Sequence, residues 1–136
     1  MRLSVRNRFP GMVTAVAVST VQVRLAGGQL MTAAITADSA RELDLAEGAS
    51  VLVLVKSTEV AIAVGEVQRI SIRNHLLGTI EAVEHGAVMS TVRVALDGGE
   101  TATAVITRDA AEDLGLASGG RVTALVKSTE VSVALP

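Results

Sequence analysis

Apolar residues along the chain fall into short runs and alternations that have the spacing of β-strands. Val21, Val23 and Leu25 alternate with polar side chains, and residues 92–96 repeat the same alternation further along. A two-residue period places one face of a strand in the core and the other in solvent. The β-branched content of these stretches favours the same structure, so the chain is predicted to be mainly β.

One segment in each half departs from this period and predicts a short helix. Residues 36–43 and 107–114 each begin with a threonine, which can accept a hydrogen bond from the first helical turn, and continue with helix formers. Glycines predict where the helices end, near Gly48 in the first half and within 115–119 in the second.

Paired glycines at 27–28 and 98–99 predict a hairpin in each half, because glycine tolerates the positive φ of tight turns. Further apolar runs lie on both sides of residues 56–59 and 127–130. Each half is therefore predicted to contain, in order, three strands, a short helix and two further strands. This order is typical of a small Greek-key barrel of the oligonucleotide/oligosaccharide-binding (OB) type.

The two halves are copies of one unit. The sequence Lys-Ser-Thr-Glu-Val occurs at 56–60 and again, unchanged, at 127–131, and Ser-x-Arg-Asn occurs at 4–7 and 71–74. An identical pentapeptide is improbable by chance in so short a chain, so it marks the same place in two repeats. The second copy carries four extra residues around 84–87.

We therefore predict two tandem domains, residues 1–68 and 69–136. Each is expected to be a five-stranded OB-like Greek-key barrel with one short helix. A unit of about 70 residues has an unfavourable surface-to-volume ratio. With 49% hydrophobic and only 1% aromatic residues, the surplus aliphatic surface is expected to be buried between subunits.

Charge and composition argue against several classes of function. Twelve basic and fourteen acidic residues give a net charge of −2, and there is one Phe and no Trp or Tyr; nucleic-acid-binding barrels use basic grooves and stacking aromatics. With no cysteine, disulfides and thiolate metal sites are excluded. No apolar run is long enough to span a membrane, and the N-terminus lacks a signal-type apolar core, so we expect a cytoplasmic protein.

Taken together, the motifs resemble a known family. The chain shows Ser-x-Arg-Asn, a glycine near the next strand, Ala-x-Ile-Thr before the short helix, and then Leu-Val-Lys-Ser, and this order appears twice. It closely resembles the Mop domain of the molbindins, which bind molybdate and tungstate. Two copies resemble the tandem-Mop proteins of molybdenum storage and homeostasis, and the resemblance implies a homotrimer of two-lobed chains with sites between lobes.

The resemblance also implies one class of binding residues. These are the serine and arginine of Ser-x-Arg-Asn, the lysine and serine of the pentapeptide, and a residue near the helix start. In this sequence they are Ser4, Arg6, Ser39, Lys56 and Ser57 in the first copy, and Ser71, Arg73, Ala110, Lys127 and Ser128 in the second. Because Ala110 stands where the first copy has Ser39, one hydroxyl donor is missing, and the two sites are predicted to differ. The backbone N–H of Ala110 could still donate.

Such a set suits molybdate, a tetrahedral dianion that carries no proton at neutral pH. Lysine, arginine, serine and backbone N–H groups all donate hydrogen bonds, and the set contains no carboxylate. Hydrogen phosphate, whose proton needs an acceptor, is therefore disfavoured. Sulfate is not distinguished by this argument and has to be excluded by cavity size.

Plainer interpretations of the same residues remain open. A lysine at a strand end is often only solvated, and Glu59 and Glu130 lie three residues from Lys56 and Lys127, close enough in sequence to pair with them. His75 and His85 lack the partners of a metal site or a catalytic base. No nucleophile with a paired base is evident, so no catalytic residue and no metal ligand is predicted. The alternative function is a molybdate-sensing module that acts on a separate transporter or regulator.

Overall fold

The computed structural model describes residues 2–65 and 67–136, which form ten β-strands, two short α-helices and two 3₁₀ turns. The strands are β1 (Asn7–Val16), β2 (Thr20–Leu25), β3 (Leu30–Ala34), β4 (Ser50–Val55), β5 (Ala61–Val64), β6 (Asn74–His85), β7 (Met89–Leu96), β8 (Thr101–Thr107), β9 (Arg121–Val126) and β10 (Ser132–Ala134). The helices are α1 (Ala37–Glu42) and α2 (Arg108–Asp113), and the 3₁₀ turns are Ser57–Glu59 and Ser128–Glu130. No described helix is long and apolar enough to cross a bilayer.

The strands form two curled antiparallel sheets of five strands each. The first sheet has the order β10-β4-β1-β2-β3 and the second the order β5-β9-β6-β7-β8. The predicted fold class is therefore confirmed: the chain is mainly β, with two five-stranded units and one short helix in each repeat.

The partner of the last strand in each repeat was not predicted. β5, from the first repeat, pairs with β9, and Ala61 lies opposite Leu125. β10, from the second repeat, pairs with β4, and Ser132 lies opposite Leu54. The two repeats therefore exchange their final strands within one chain, and each sheet contains one strand of the other repeat.

The repeated pentapeptide is where the chain crosses between the sheets. After β4, the chain turns through Ser57–Glu59, which packs against β8 of the second sheet, and Ser128–Glu130 packs in the same way against β3 of the first sheet. Val60 and Val131, which follow the turns, are both buried. The motif thus joins the two sheets rather than returning the chain to its own sheet.

The core follows the alternation seen in the sequence. In β2 and β7 every second residue is buried. β4 and β9 are buried over nearly consecutive residues, because each lies inside its sheet between two neighbouring strands. The core is built largely from valine, leucine, alanine and isoleucine, with Phe9 buried beside them.

The two helices begin where predicted; α2 also ends where predicted, whereas α1 ends earlier. Thr36 and Thr107 are their N-caps, and their hydroxyl oxygens accept hydrogen bonds from the N–H groups of Ser39 and Ala110. α2 ends at Asp113, and Gly115, one of the predicted glycines, has positive φ. α1 ends at Glu42, well before Gly48, because the chain already enters the left-handed region at Asp44. The predicted hairpins are present, and Gly28, Gly98 and Gly99 adopt positive φ.

One buried asparagine in each repeat forms hydrogen bonds to the sheet of the other repeat. The side-chain amide of Asn7 donates to the carbonyl of Thr103 (2.8 Å) and accepts from the N–H of Thr103 (2.7 Å). Asn74 makes the same pair of bonds to Thr32, at 2.9 and 2.7 Å. Both amides are buried, so each satisfies the backbone of an edge strand in the opposite sheet.

Candidate oxyanion-binding site

The Ser-x-Arg segments lie immediately before the long strands β1 and β6. Ser4 and Arg6 are exposed in the first repeat, and Ser71 and Arg73 are exposed in the second. The buried asparagine that follows each arginine fixes the end of the segment against the opposite sheet. Each segment is therefore anchored at its asparagine end, and its serine and arginine lie at the surface.

The lysines occupy the N-cap positions of the two 3₁₀ turns. Lys56 and Lys127 have almost identical backbone angles, with φ −66 and −64 and ψ 138 in both. Both lysines are exposed, and the serines that follow, Ser57 and Ser128, are half-buried. Because their local backbone is the same, the two copies present the lysine in the same way to their surroundings.

In the described parts of the chain, the four candidate cations form no salt bridge. Within residues 2–65 and 67–136, salt bridges form only between Arg41 and Asp38, Arg93 and Glu84, Arg108 and Glu112, and Arg121 and Asp97. The pairing of Lys56 with Glu59, or of Lys127 with Glu130, is not formed. The positive charges of Arg6, Arg73 and the two lysines are therefore available to an anion.

The helix starts differ between the repeats, as the sequence indicated. In α1, the Thr36 hydroxyl donates to Ser39 Oγ (2.9 Å) while accepting from the Ser39 N–H (3.1 Å). In α2, the N–H of Ala110 donates to Thr107 Oγ1 (3.1 Å). The backbone N–H of Ala110, which was expected to be able to replace the missing serine hydroxyl, is thus already engaged by the helix cap.

Three open cavities show which candidate residues come together. The α1 cavity, about 650 Å³, is lined by Ser39 and Thr36 together with Thr129 and Ser132 from the second repeat. None of the candidate lysines lines it. The first repeat therefore does not bring Ser39 and Lys56 together in a single cavity.

The α2 cavity, about 390 Å³, likewise contains one residue of its candidate set. It is lined by Lys127 and by Thr107, the cap of α2, and also by Ile72, which lies between Ser71 and Arg73. Thr58 from the first repeat lines it as well. Lys127 therefore shares this cavity with the cap of α2, whereas Ser71, Arg73, Ala110 and Ser128 do not line it.

Lys56 lines a third space, the N-terminal cavity, of about 250 Å³. Leu3 and Val5, the neighbours of Ser4, line it as well. Glu59 and Glu130 line both this cavity and the α2 cavity, so the two pentapeptides lie close to each other. Sequence reasoning did not select these glutamates or the threonines beside them, although the repeated pentapeptide contains all four.

The residues whose pKa values are shifted do not line these cavities. The hydrogen bond from Arg121 lowers the pKa of Asp97, and that from Arg108 lowers the pKa of Glu112. Among the described residues, no group of three His, Asp or Glu side chains is placed to hold a metal ion.

Comparison with known proteins places this arrangement in context. The TOBE domain model matches residues 3–62 and 70–133. The chain is 45% identical over 141 aligned residues to the molybdenum-pterin-binding protein MopB of Rhodobacter capsulatus. It is 37% identical over 140 aligned residues to the molybdenum transport protein ModE of Herbaspirillum seropedicae. The alignments cover 100% and 99% of this chain but only 52% of each relative, so the chain spans about half their length.

A solved structure matches the chain over its whole length. It is a crystal structure of the cytoplasmic molybdate-binding protein ModG with molybdate bound. The TM-score is 0.93, the sequence identity is 38%, and the match covers 100% of both chains. The chain therefore shares its fold with a relative of the same size whose crystal structure has molybdate bound.

Proposed function

The chain belongs to the TOBE-domain family, with two copies of the domain, and from this premise we propose that it binds molybdate and serves intracellular molybdenum storage and homeostasis. The observation that carries the proposal is the match, over the full length of both chains, to a protein with molybdate bound. Tungstate, an oxyanion of the same shape and charge, is expected to bind as a surrogate.

The free cations of the chain support this choice of ligand. Arg6, Arg73, Lys56 and Lys127 make no salt bridge among the residues described. Hydrogen bonds to charged groups contribute about 1.5–3 kcal/mol each, and micromolar affinity needs about 8 kcal/mol. A few such bonds from arginine, lysine and serine are therefore sufficient to hold a dianion.

We propose that each complete site is assembled between lobes and subunits, in a homotrimer. Within one chain, Ser39 and Lys56 line different cavities, so the first repeat's set is incomplete. Large apolar side chains such as Met12, Val18 and Val64 are exposed on the single chain. A neighbouring chain that covers such residues would also supply the missing donors.

The protein's role is proposed to be non-catalytic and cytoplasmic. MopB and the Herbaspirillum ModE are named for binding or transport of molybdenum, and the solved relative is described as cytoplasmic. The alternative, a sensing module that acts on a separate partner, is supported by the match to half of ModE of Escherichia coli, which is named a DNA-binding transcriptional regulator. A pull-down with and without molybdate separates the two, since a sensor retains a partner in only one of these conditions.

Calorimetry with molybdate, combined with elemental analysis and light scattering, tests the proposal. We expect several molybdate ions per assembly of three chains, with binding that persists in moderate sulfate and phosphate. The double variant Lys56→Ala/Lys127→Ala removes every lysine in the chain and should abolish most binding. Arg24→Ala, which removes an exposed cation on β2, is the matched control. Absence of both heat and bound molybdenum in the unmodified protein would exclude the function.

A further inference from the structure

The segments that carry the candidate serines and arginines have almost nothing to hold their backbone. Residues 2–6 and 67–73 lie outside the helices and strands, and no backbone–backbone hydrogen bond involving them is found in the described parts of the chain. The exposed side chains of Ser71 and Arg73 therefore depend on something else for a fixed direction.

One side chain in each repeat supplies that restraint, and the two occupy matched positions directly after the asparagine. Arg8 donates from Nε to the carbonyl of Val5 (3.3 Å) and from a terminal nitrogen to the carbonyl of Leu3 (2.8 Å). His75 Nε2 lies 2.7 Å from the carbonyl oxygen of Ile72. Both side chains reach back to the residue between the serine and the arginine.

The hydrogen bond to Ile72 determines which ring nitrogen of His75 carries a hydrogen. A carbonyl oxygen only accepts, so Nε2 of His75 carries the hydrogen, and the bond persists whether the ring is neutral or protonated. His75 is half-buried and, with Val67, Leu77 and Thr123, lines an open cavity of about 210 Å³. His75 therefore holds the carbonyl of Ile72 in one place.

We propose that His75 and Arg8 are positioning residues for oxyanion binding. They act through the backbone of the Ser-x-Arg segment and do not touch the ligand. Ordering a side chain on binding costs conformational entropy when that side chain is not fixed in advance. Restraining the segment before the ligand arrives therefore raises the affinity of the sites that use its serine and arginine. This inference rests on the proposed function.

The two repeats restrain the same segment with different residues, Arg8 in the first and His75 in the second, and this difference provides the test. In His75→Ala, calorimetry should show one class of molybdate sites weakened about tenfold, since two ligand side chains lose their restraint. His75→Arg, which installs the side chain that the first repeat uses, should restore the affinity. His85→Ala removes the other histidine, which lies in the β6–β7 hairpin, and should leave the affinity unchanged.

Hydrogen exchange without ligand provides a readout that is independent of binding. His75→Ala should accelerate exchange of the amides of residues 67–73 while the melting temperature stays close to that of the unmodified protein, and His75→Arg should reverse the acceleration. Unchanged affinity and exchange in His75→Ala would overturn the positioning role. If the unmodified protein does not bind molybdate, the proposed function fails, but the exchange result still decides whether His75 orders the segment.

Discussion

Ser39 and Ala110 occupy matched positions in the first turns of α1 and α2, yet only one of them carries a hydroxyl. Thr36 caps α1 through the N–H of Ser39, so Ser39→Ala leaves that bond intact. We expect this variant to weaken molybdate binding at its site about tenfold, because a hydrogen bond to a charged group is worth roughly 1.5–3 kcal/mol. Its melting temperature should barely change.

The reverse substitution is the matched test of that argument. Ala110→Ser should strengthen binding in the second repeat, and the double exchange should invert the order of the two site classes in a calorimetric titration. Ala46→Ser adds a hydroxyl on an exposed loop residue and serves as the control. Equal affinities of all sites in the unmodified protein would contradict the predicted difference between repeats.

Asn7 and Asn74 illustrate a residue whose role could not be inferred from its place in a motif. Ser-x-Arg-Asn was interpreted through its serine and arginine, but the asparagine is the buried member and binds the backbone of the other repeat's edge strand. Asn7→Ala leaves both the N–H and the carbonyl of Thr103 without their partner. We expect a loss of about 2 kcal/mol of unfolding free energy, measured by urea denaturation.

An exposed amide provides the comparison for Asn7. Gln22 accepts a hydrogen bond from Thr14 at the surface, where water can replace it. Gln22→Ala should therefore change the unfolding free energy by no more than about 0.5 kcal/mol. If Asn7→Ala is equally mild, the bonds between the repeats are not a major source of stability.

At the scale of elements, the residues just after the two helices differ, and only the residue after α1 is strained. Asp44 has φ 55, and at the matched position Gly115 has φ 62. A non-glycine residue in the left-handed region costs roughly 1–2 kcal/mol, somewhat less for aspartate. Asp44→Gly should therefore stabilise the protein by about 0.5–1 kcal/mol in urea denaturation.

Two variants control for the general effect of glycine. Gly115→Asp should destabilise the second repeat by a similar amount, about 1 kcal/mol. Glu47→Gly places glycine at an exposed residue of the same loop that does not have positive φ, and should destabilise slightly by adding freedom to the unfolded chain. Stabilisation by both glycine variants would show that φ at Asp44 is not the cause.

The second sheet contains an ion pair that makes its stability depend on pH. Arg121 donates two hydrogen bonds to Asp97, at 2.7 and 2.8 Å, and this contact lowers the pKa of Asp97. A carboxyl group with a lowered folded-state pKa stabilises the protein above its ordinary titration range. That contribution is lost as the pH falls through the folded-state pKa.

The variant Asp97→Asn should therefore lower the melting temperature at pH 7 and have a smaller effect at pH 3, measured by circular dichroism. Asp113→Asn changes an exposed aspartate that forms no ion pair among the described residues, and should show little difference between the two pH values. An effect of Asp97→Asn that is the same at both pH values would exclude the ion pair as its source.

At the scale of the whole molecule, what the sequence predicted follows from local pattern. Alternation in 21–25 and 92–96 gave the strands, and threonine caps gave the helix starts. The exchange of β5 and β10 could not be predicted from the local pattern, because the pentapeptides and the apolar runs after them are alike in both repeats. Either sheet offers these runs the same surface, so pattern alone does not choose the partner.

Prediction of the candidate site from the sequence was limited by the same ambiguity. The binding residues came from resemblance and stay a prediction, while the structure shows that Lys127 shares a cavity with Thr107 and that Lys56 and Ser39 do not share one. Which lobe completes which site depends on the path after Val60 and Val131. That path is a long-range property that no short stretch of sequence contains.

The exchanged strands make a firm prediction about the isolated repeats. Residues 1–68 alone lack β10, the neighbour of β4, and their own β5 has no β9 with which to pair. We therefore expect neither 1–68 nor 69–136 to be a folded monomer. Mixing them should restore both sheets in a 1:1 complex, detected by circular dichroism and light scattering.

In the intact chain the two sheets should unfold in one cooperative transition, since neither is complete without a strand from the other repeat. A stable, folded monomer of either half would show that the exchange is dispensable.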